Sequence, residues 1–321
     1  MILAEFLPAV PTRLWDYTAQ MGVRHAICKC APELTGLKAP DDFESLRIIH
    51  ERFAERGFKL MGLEGDQFDM QRIKLGLPGR EADIERYRRM LENMGRLGIP
   101  LLCYNFMAGI GWHRSVADMP LRGGALTSRF DLREVPASLT EYGEVSAQRL
   151  WDNYAWFIER VMPAAEAAGV KMGLHPDDPP VPALRGIARI LNTPDNIRRA
   201  MALNDSPHHG LTYCQANFAL LGDHDRLLLR EFKERVVFVH FRDVEGTAAS
   251  FHETFHDTGP TDMPGMIRLY HELGFRGAIR VDHVPTLAGE SNDAPGYALL
   301  GRLFAIGYLI GILQTLKVPY E

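Results

Sequence analysis

Little in this sequence points to disulfides, membranes or nucleic acid. Its 321 residues include four cysteines, Cys28, Cys30, Cys103 and Cys214. They form no C-x-x-C pair, which argues against a disulfide framework and for a reducing, cytoplasmic setting. No apolar run is long enough for a bilayer. The longest, "LFAIGYLIGIL" at 303–313, falls well short of the roughly 20 residues a spanning helix needs. It reads as a buried terminal helix or an oligomer face, so a homo-oligomer is expected. The start, "MILAEFLPAVPTRLWDY", lacks the basic, apolar and small-residue regions of a signal peptide. One-sided charge is missing too. With 36 Lys and Arg against 41 Asp and Glu, the net charge of −5 disfavours a broad nucleic-acid or anionic-membrane surface. A small-molecule partner is the simpler expectation. Low-complexity segments, fixed-period repeats and a glycine-rich dinucleotide fingerprint are all absent.

What is present is an alternation. Short apolar runs occur at 24–30, 59–65, 100–106, 170–175, 210–214, 236–241 and 278–283, with a weaker one, "SFHETF", at 250–255. Amphipathic stretches separate them at 41–57, 81–97, 144–168, 193–204, 224–235, 261–274 and 294–316. Several open on polar cap residues, as in "TPDNI" and "TDMPGM", and close on glycine, as in "RLGIP" and "AAGVK". Eight strands alternating with helices in a chain of this length predict an α/β fold, a single (β/α)8 TIM barrel over 1–321. A long insert follows the third run, at about 107–143. Inserts of this length are usually lids or oligomer arms.

The polar residues at the ends of the runs carry the functional signal. His175 ends the fourth run, Cys214 ends the fifth, His240 lies near the end of the sixth, and Asp282 with His283 ends the eighth. A barrel brings these strand ends to one face. Singly, each residue has a bland explanation. A strand-end histidine is more often structural, a buried cysteine usually packs, and an aspartate can cap a helix. Together they form a plausible metal set. Imidazole, thiolate and carboxylate suit Mn²⁺, Fe²⁺, Co²⁺ or Zn²⁺ rather than Mg²⁺ or Ca²⁺.

The strings "LHPDDPP", "TYC", "VHFRDV", "FHETFHDTG" and "DH" followed by "GE" and "PGY" resemble the mannonate dehydratase family of xylose-isomerase-like barrels. "LLCYNFM" and "GWHRS" extend the resemblance upstream, so that it covers residues 1 to about 316. The sequence departs from the family pattern at "DHVPTLAGE" and at "QAN" after the cysteine. The resemblance implies dehydration of D-mannonate to 2-keto-3-deoxy-D-gluconate, in hexuronate catabolism. It implies a divalent metal, Mn²⁺ first with Fe²⁺ or Co²⁺ possible, on His175, Cys214, His240 and Asp282. It also implies His283 and Tyr297 as the catalytic pair, with the acid and base roles open.

Other candidates come from residue chemistry. Arg114 and Arg242 could grip a substrate carboxylate bidentately, and Asn105 could bond a sugar hydroxyl. Asp177 and Asp178 could orient His175 or a loop arginine, or simply serve the turn. His208 and His209 are expected to be solvated, and the basic residues of 72–96 to form a charged helix face. The rival enzyme is a metal-dependent sugar isomerase or epimerase on the same barrel. The rival from another class is a silent binding protein, disfavoured because the ligand set is intact.

Overall fold

The computed structural model describes residues 1–321 and contains a closed barrel of eight parallel strands. In chain order these are Ile2–Phe6, His25–Cys28, Lys59–Glu64, Leu101–Tyr104, Lys171–Leu174, His209–Cys214, Val236–Phe241 and Ala278–Val281. Helices cover the outside, and local sequence sets their limits. Asp42 accepts from the Ser45 amide at the start of helix Phe43–Glu55, which buries Leu46, Ile49 and Phe53 along one face. Ser146 caps helix Ala147–Ala168, and Gly169 ends it in a left-handed conformation at φ 68°. Trp15 stacks on Phe53 with ring centroids 4.2 Å apart, which ties the first helix to the shell.

Two expectations about the strands need correction. The first barrel strand is Ile2–Phe6, so the long insert follows the fourth barrel strand, not the third. The stretch at 250–255 is not a barrel strand. Ser250–Glu253 alternates half-exposed and buried residues, the pattern of a one-sided antiparallel sheet. It joins a sheet in the order Val244–Thr247, Ser250–Glu253, Leu126–Asp131, Val116–Pro120. The insert supplies the last two of these strands. Ile2–Phe6 carries a charged residue, Glu5, inside an otherwise apolar run; that carboxylate is buried against Arg302 at 2.9 Å.

Two basic residues also differ from expectation. His209 is fully buried, because it opens the sixth barrel strand beneath helix Ala147–Ala168, with Nε2 3.3 Å from the Tyr154 hydroxyl. Lys74 is buried, with Nζ 2.6 Å from Asp66, and does not belong to the charged helix face.

Register explains what meets inside the barrel. Cys214 pairs with His240, His240 with Arg280, and Glu64 with Cys103. Residues in register on neighbouring parallel strands share a height, so inward-facing ones stand side by side.

Candidate metal centre and active site

The strand ends enclose a cavity of about 120 Å³ at the C-terminal mouth of the barrel. His175, His240, Asp282, His283, Tyr297 and Asn105 all line it. One ligand atom each from His175, Cys214 and His240 lies within 4.8 Å of the other two. His175 Nδ1 is 2.7 Å from the Pro176 carbonyl, an arrangement that leaves Nε2 as its free nitrogen. Burial pushes His175 below the ordinary histidine range, which keeps the imidazole neutral and ready to ligate. Arg242 Nε donates to Cys214 Sγ at 3.3 Å.

His240 provides the test of fit. Its ring is 1% exposed, yet neither Nδ1 nor Nε2 has a hydrogen-bond partner. An unmet buried polar group costs about 1–3 kcal/mol. A metal held with His175 and Cys214 would satisfy the ring. Asp282 stands beside this set, with Oδ2 3.5 Å from His240 Nδ1 and Oδ1 2.8 Å from Arg280. Burial alone would raise the Asp282 carboxyl, but Arg280, His283, His240 and Arg242 hold it well below the usual range.

Sequence reasoning missed a second set. Glu64, Cys103 and His240 also bring ligand atoms within 4.8 Å of one another. Glu64 ends the third barrel strand and is 3.4 Å from His240 Nε2, while Arg280 Nη2 binds it at 2.5 Å. Burial opposes ionisation of Glu64, but Arg280 and His240 bring it down to about 2. The strand-end reasoning that selected His175 and Cys214 applied equally to Glu64 in "KLMGLEG". Arg280 was legible as a charge inside the apolar run "AIRVDH".

The two arginines expected to grip a substrate carboxylate hold protein carboxylates instead. Arg242 binds both oxygens of Glu253, at 2.6 and 2.7 Å, and Asp178 at 2.7 Å. Arg114 binds Asp178 at 2.5 Å and also donates to Glu253. Asp178, pushed up by burial, is carried down to about 2 by these guanidiniums. Asp177 accepts from the Leu191 amide at 2.7 Å and faces Arg189. The aspartates of "HPDDPP" thus serve loop backbone and arginines. Asn105 reaches the cavity, but its side-chain carbonyl accepts from Lys74 at 2.9 Å and from the Met107 amide at 3.1 Å.

His283 and Tyr297 are neighbours, with ring centroids 5.4 Å apart, and Trp112 of the insert lies 5.3 Å from His283 on an edge. His283 sits at φ 29°, sparsely populated for a residue with a side chain. Gly296, at φ 83°, passes close to it; a Cβ there would be 3.4 Å from the His283 ring. A wider groove of about 900 Å³ lies outside the barrel beside helix Met263–Glu272 and shares no residue with this site.

A closed parallel barrel with ligand-type side chains at its C-terminal mouth defines a metal-dependent barrel enzyme. Comparison with known proteins narrows the class. The D-mannonate dehydratase (UxuA) family matches residues 39–138 and 132–320. A mannonate dehydratase of Streptococcus agalactiae serotype Ia is 34% identical over 302 residues, 85% of this chain and 86% of that protein. The crystal structure of mannonate dehydratase from Streptococcus suis serotype 2 superposes with a TM-score of 0.88 at 29% identity, covering 100% of this chain and 97% of that one. The chain belongs to the D-mannonate dehydratase family, whose members are metal-dependent hydro-lyases. An L-ribulose 3-epimerase aligns with a TM-score of 0.61 over 98% of this chain and 95% of that one, but at 14% identity it shares the fold alone. The isomerase or epimerase reading gains nothing further from it.

Proposed function

We propose that this chain dehydrates D-mannonate to 2-keto-3-deoxy-D-gluconate and water. The observation that carries the reading is the convergence of His175, Cys214 and His240 at a cavity lined by the two histidines of that set and by His283 and Tyr297, within a chain of this family. The proposed metal is Mn²⁺, with Fe²⁺ or Co²⁺ as substitutes, held by these three residues with Asp282 beside them. When bound, it supplies positive charge against the negative charge that develops on the substrate oxygens.

The chain's own groups do the proton work. The C2 hydrogen of the sugar acid is weakly acidic and needs a positioned base. His283 takes that proton through Nε2. The electron pair left on C2 then expels the C3 hydroxyl. Tyr297 donates its proton to that leaving group, which departs as water, and the resulting enol becomes the 2-keto acid. Burial, the largest influence on Tyr297, raises its phenol above the ordinary range, so it stays protonated and available as an acid.

Pocket size bears on entry. A cavity of about 120 Å³ is small beside the roughly 300 Å³ at the lower end of common ligand pockets. Met107 and Trp112 form part of its wall. Segment 107–143 is accordingly assigned as a lid that yields to admit substrate. Arg114 and Arg242 are reassigned from gripping substrate to holding Asp178 and Glu253, while Asn105 keeps its place as a substrate contact.

The reading also takes the protein as a cytoplasmic homo-oligomer that needs neither nucleic acid nor membrane. All four cysteines are free and buried, which suits a reducing compartment, and Leu300 on the apolar last helix is exposed. No helix is long and apolar enough to cross a membrane. The test is to strip metal with a chelator, restore Mn²⁺, and assay a panel of aldonic acids for 2-keto-3-deoxy acids. Metal-dependent product from D-mannonate is expected, and no product from any acid would refute the proposal.

A further inference from the structure

Glu253 lies outside both the ligand set and the barrel strands. It ends the strand Ser250–Glu253, which pairs with the insert strand Leu126–Asp131. Its carboxylate is 1% exposed and takes four contacts: two from Arg242 Nη1, one from Arg114 Nη2 and one from His283 Nδ1 at 3.0 Å. Arginine does not lose its proton in proteins, and a carboxylate between two guanidiniums is ionised. An ionised carboxylate only accepts hydrogen bonds. The hydrogen between Glu253 and His283 therefore sits on Nδ1. In the neutral ring, Nε2 then carries the lone pair. The closest carboxylate to Nε2, Asp282 Oδ1, is 3.8 Å away, too far for a hydrogen bond.

We infer that Glu253 is the positioning residue of His283, fixing its Nδ1-protonated tautomer and turning Nε2 toward the cavity. The inference rests on the proposed acid–base role of His283. Rings on either side reinforce the placement: Trp112 and Tyr297 both meet the imidazole edge-on. A carboxylate present only to neutralise Arg114 and Arg242 would impose no tautomer on the histidine.

The tautomer can be read directly. Protein labelled with ¹⁵N-histidine and loaded with Zn²⁺, which is diamagnetic, gives long-range ¹⁵N–¹H correlations for each ring. The His283 signals are identified by their loss in His283→Gln. Wild-type protein is expected to show His283 protonated on Nδ1. A Glu253→Met/Arg114→Met double variant removes the acceptor and one guanidinium together, so the buried charge stays balanced. It is expected to show a mixture of tautomers and a kcat at least about 100-fold lower, with KM within about threefold and metal content unchanged. A wild-type ring protonated on Nε2, or a double variant that keeps both the Nδ1 tautomer and its kcat, overturns the inference. The tautomer is measured without substrate. Failure to turn over any acid would thus refute the dehydratase reading and leave the tautomer result standing.

Discussion

The same strands build two unlike layers inside one barrel. Below, Ala4, Ile27, Met61, Leu101, Val237, Phe238 and Ala278 form an apolar plug with Cys103 at its upper edge. Two residues further along the strands, Leu101 gives way to Cys103, Phe238 to His240 and Ala278 to Arg280. Side chains two apart on a strand face the same way, so one step of the pleat separates packed core from chemistry. The Phe238 and His240 rings are 4.8 Å apart across that boundary. The plug gains from removing apolar area from water, about 25 cal/mol per Å². The layer above it desolvates charges and polar rings, which is costly unless they find partners. The barrel thus carries a layer that depends on paired charges on top of one that depends on apolar packing.

The sharpest way to break the contrast is to delete a ligand from the upper layer. His240→Ala is expected to lose the metal and about 10³-fold or more in kcat, from the several kcal/mol a metal contributes to charge stabilisation. Metal analysis of the purified variant checks the first part and a product assay the second. Next come the proton-handling groups. His283→Gln and Tyr297→Phe are each expected to cost roughly 10²–10⁴-fold in kcat with metal content intact. A variant that loses its metal instead would shift that residue into the binding set.

The lower layer should respond in the opposite sense. Leu101→Ala is expected to cost roughly 2–5 kcal/mol of stability in denaturant titration, with kcat little changed. The smallest effect concerns pH. Asp178, whose carboxyl lies at about 2 in the folded chain, stabilises the fold fully above the ordinary aspartate value. That contribution is lost as pH falls through that value toward about 2. The wild-type denaturation midpoint should therefore drop more steeply below about pH 4 than that of Asp178→Asn, which lacks this term.

The two layers also differ in how legible they were. The barrel was readable because apolar runs and capped helices alternate along most of the chain. The strand-end residues were readable because topology alone sends them to one face. Pairings across long loops were not. Nothing in "SFHETF" announces that Ser250–Glu253 leaves the barrel to pair with residues 126–131, so Glu253 went unnoticed. Arg114 and Arg242 looked like substrate ligands because a guanidinium suits any carboxylate. Only the fold shows that Asp178 and Glu253 already occupy them. Lys74 misled because buried charge with a fixed partner looks like surface charge in a sequence.

The central claim is that the upper layer holds a metal through His175, Cys214 and His240. The alternative set of Glu64, Cys103 and His240 competes for the same histidine. Titrating metal-free protein with Co²⁺ separates them, because a thiolate ligand produces a sulfur-to-cobalt charge-transfer band in the near ultraviolet. The account predicts saturation at one equivalent, with the band lost in Cys214→Ser and retained in Cys103→Ser. A band that survives Cys214→Ser and disappears in Cys103→Ser would contradict it.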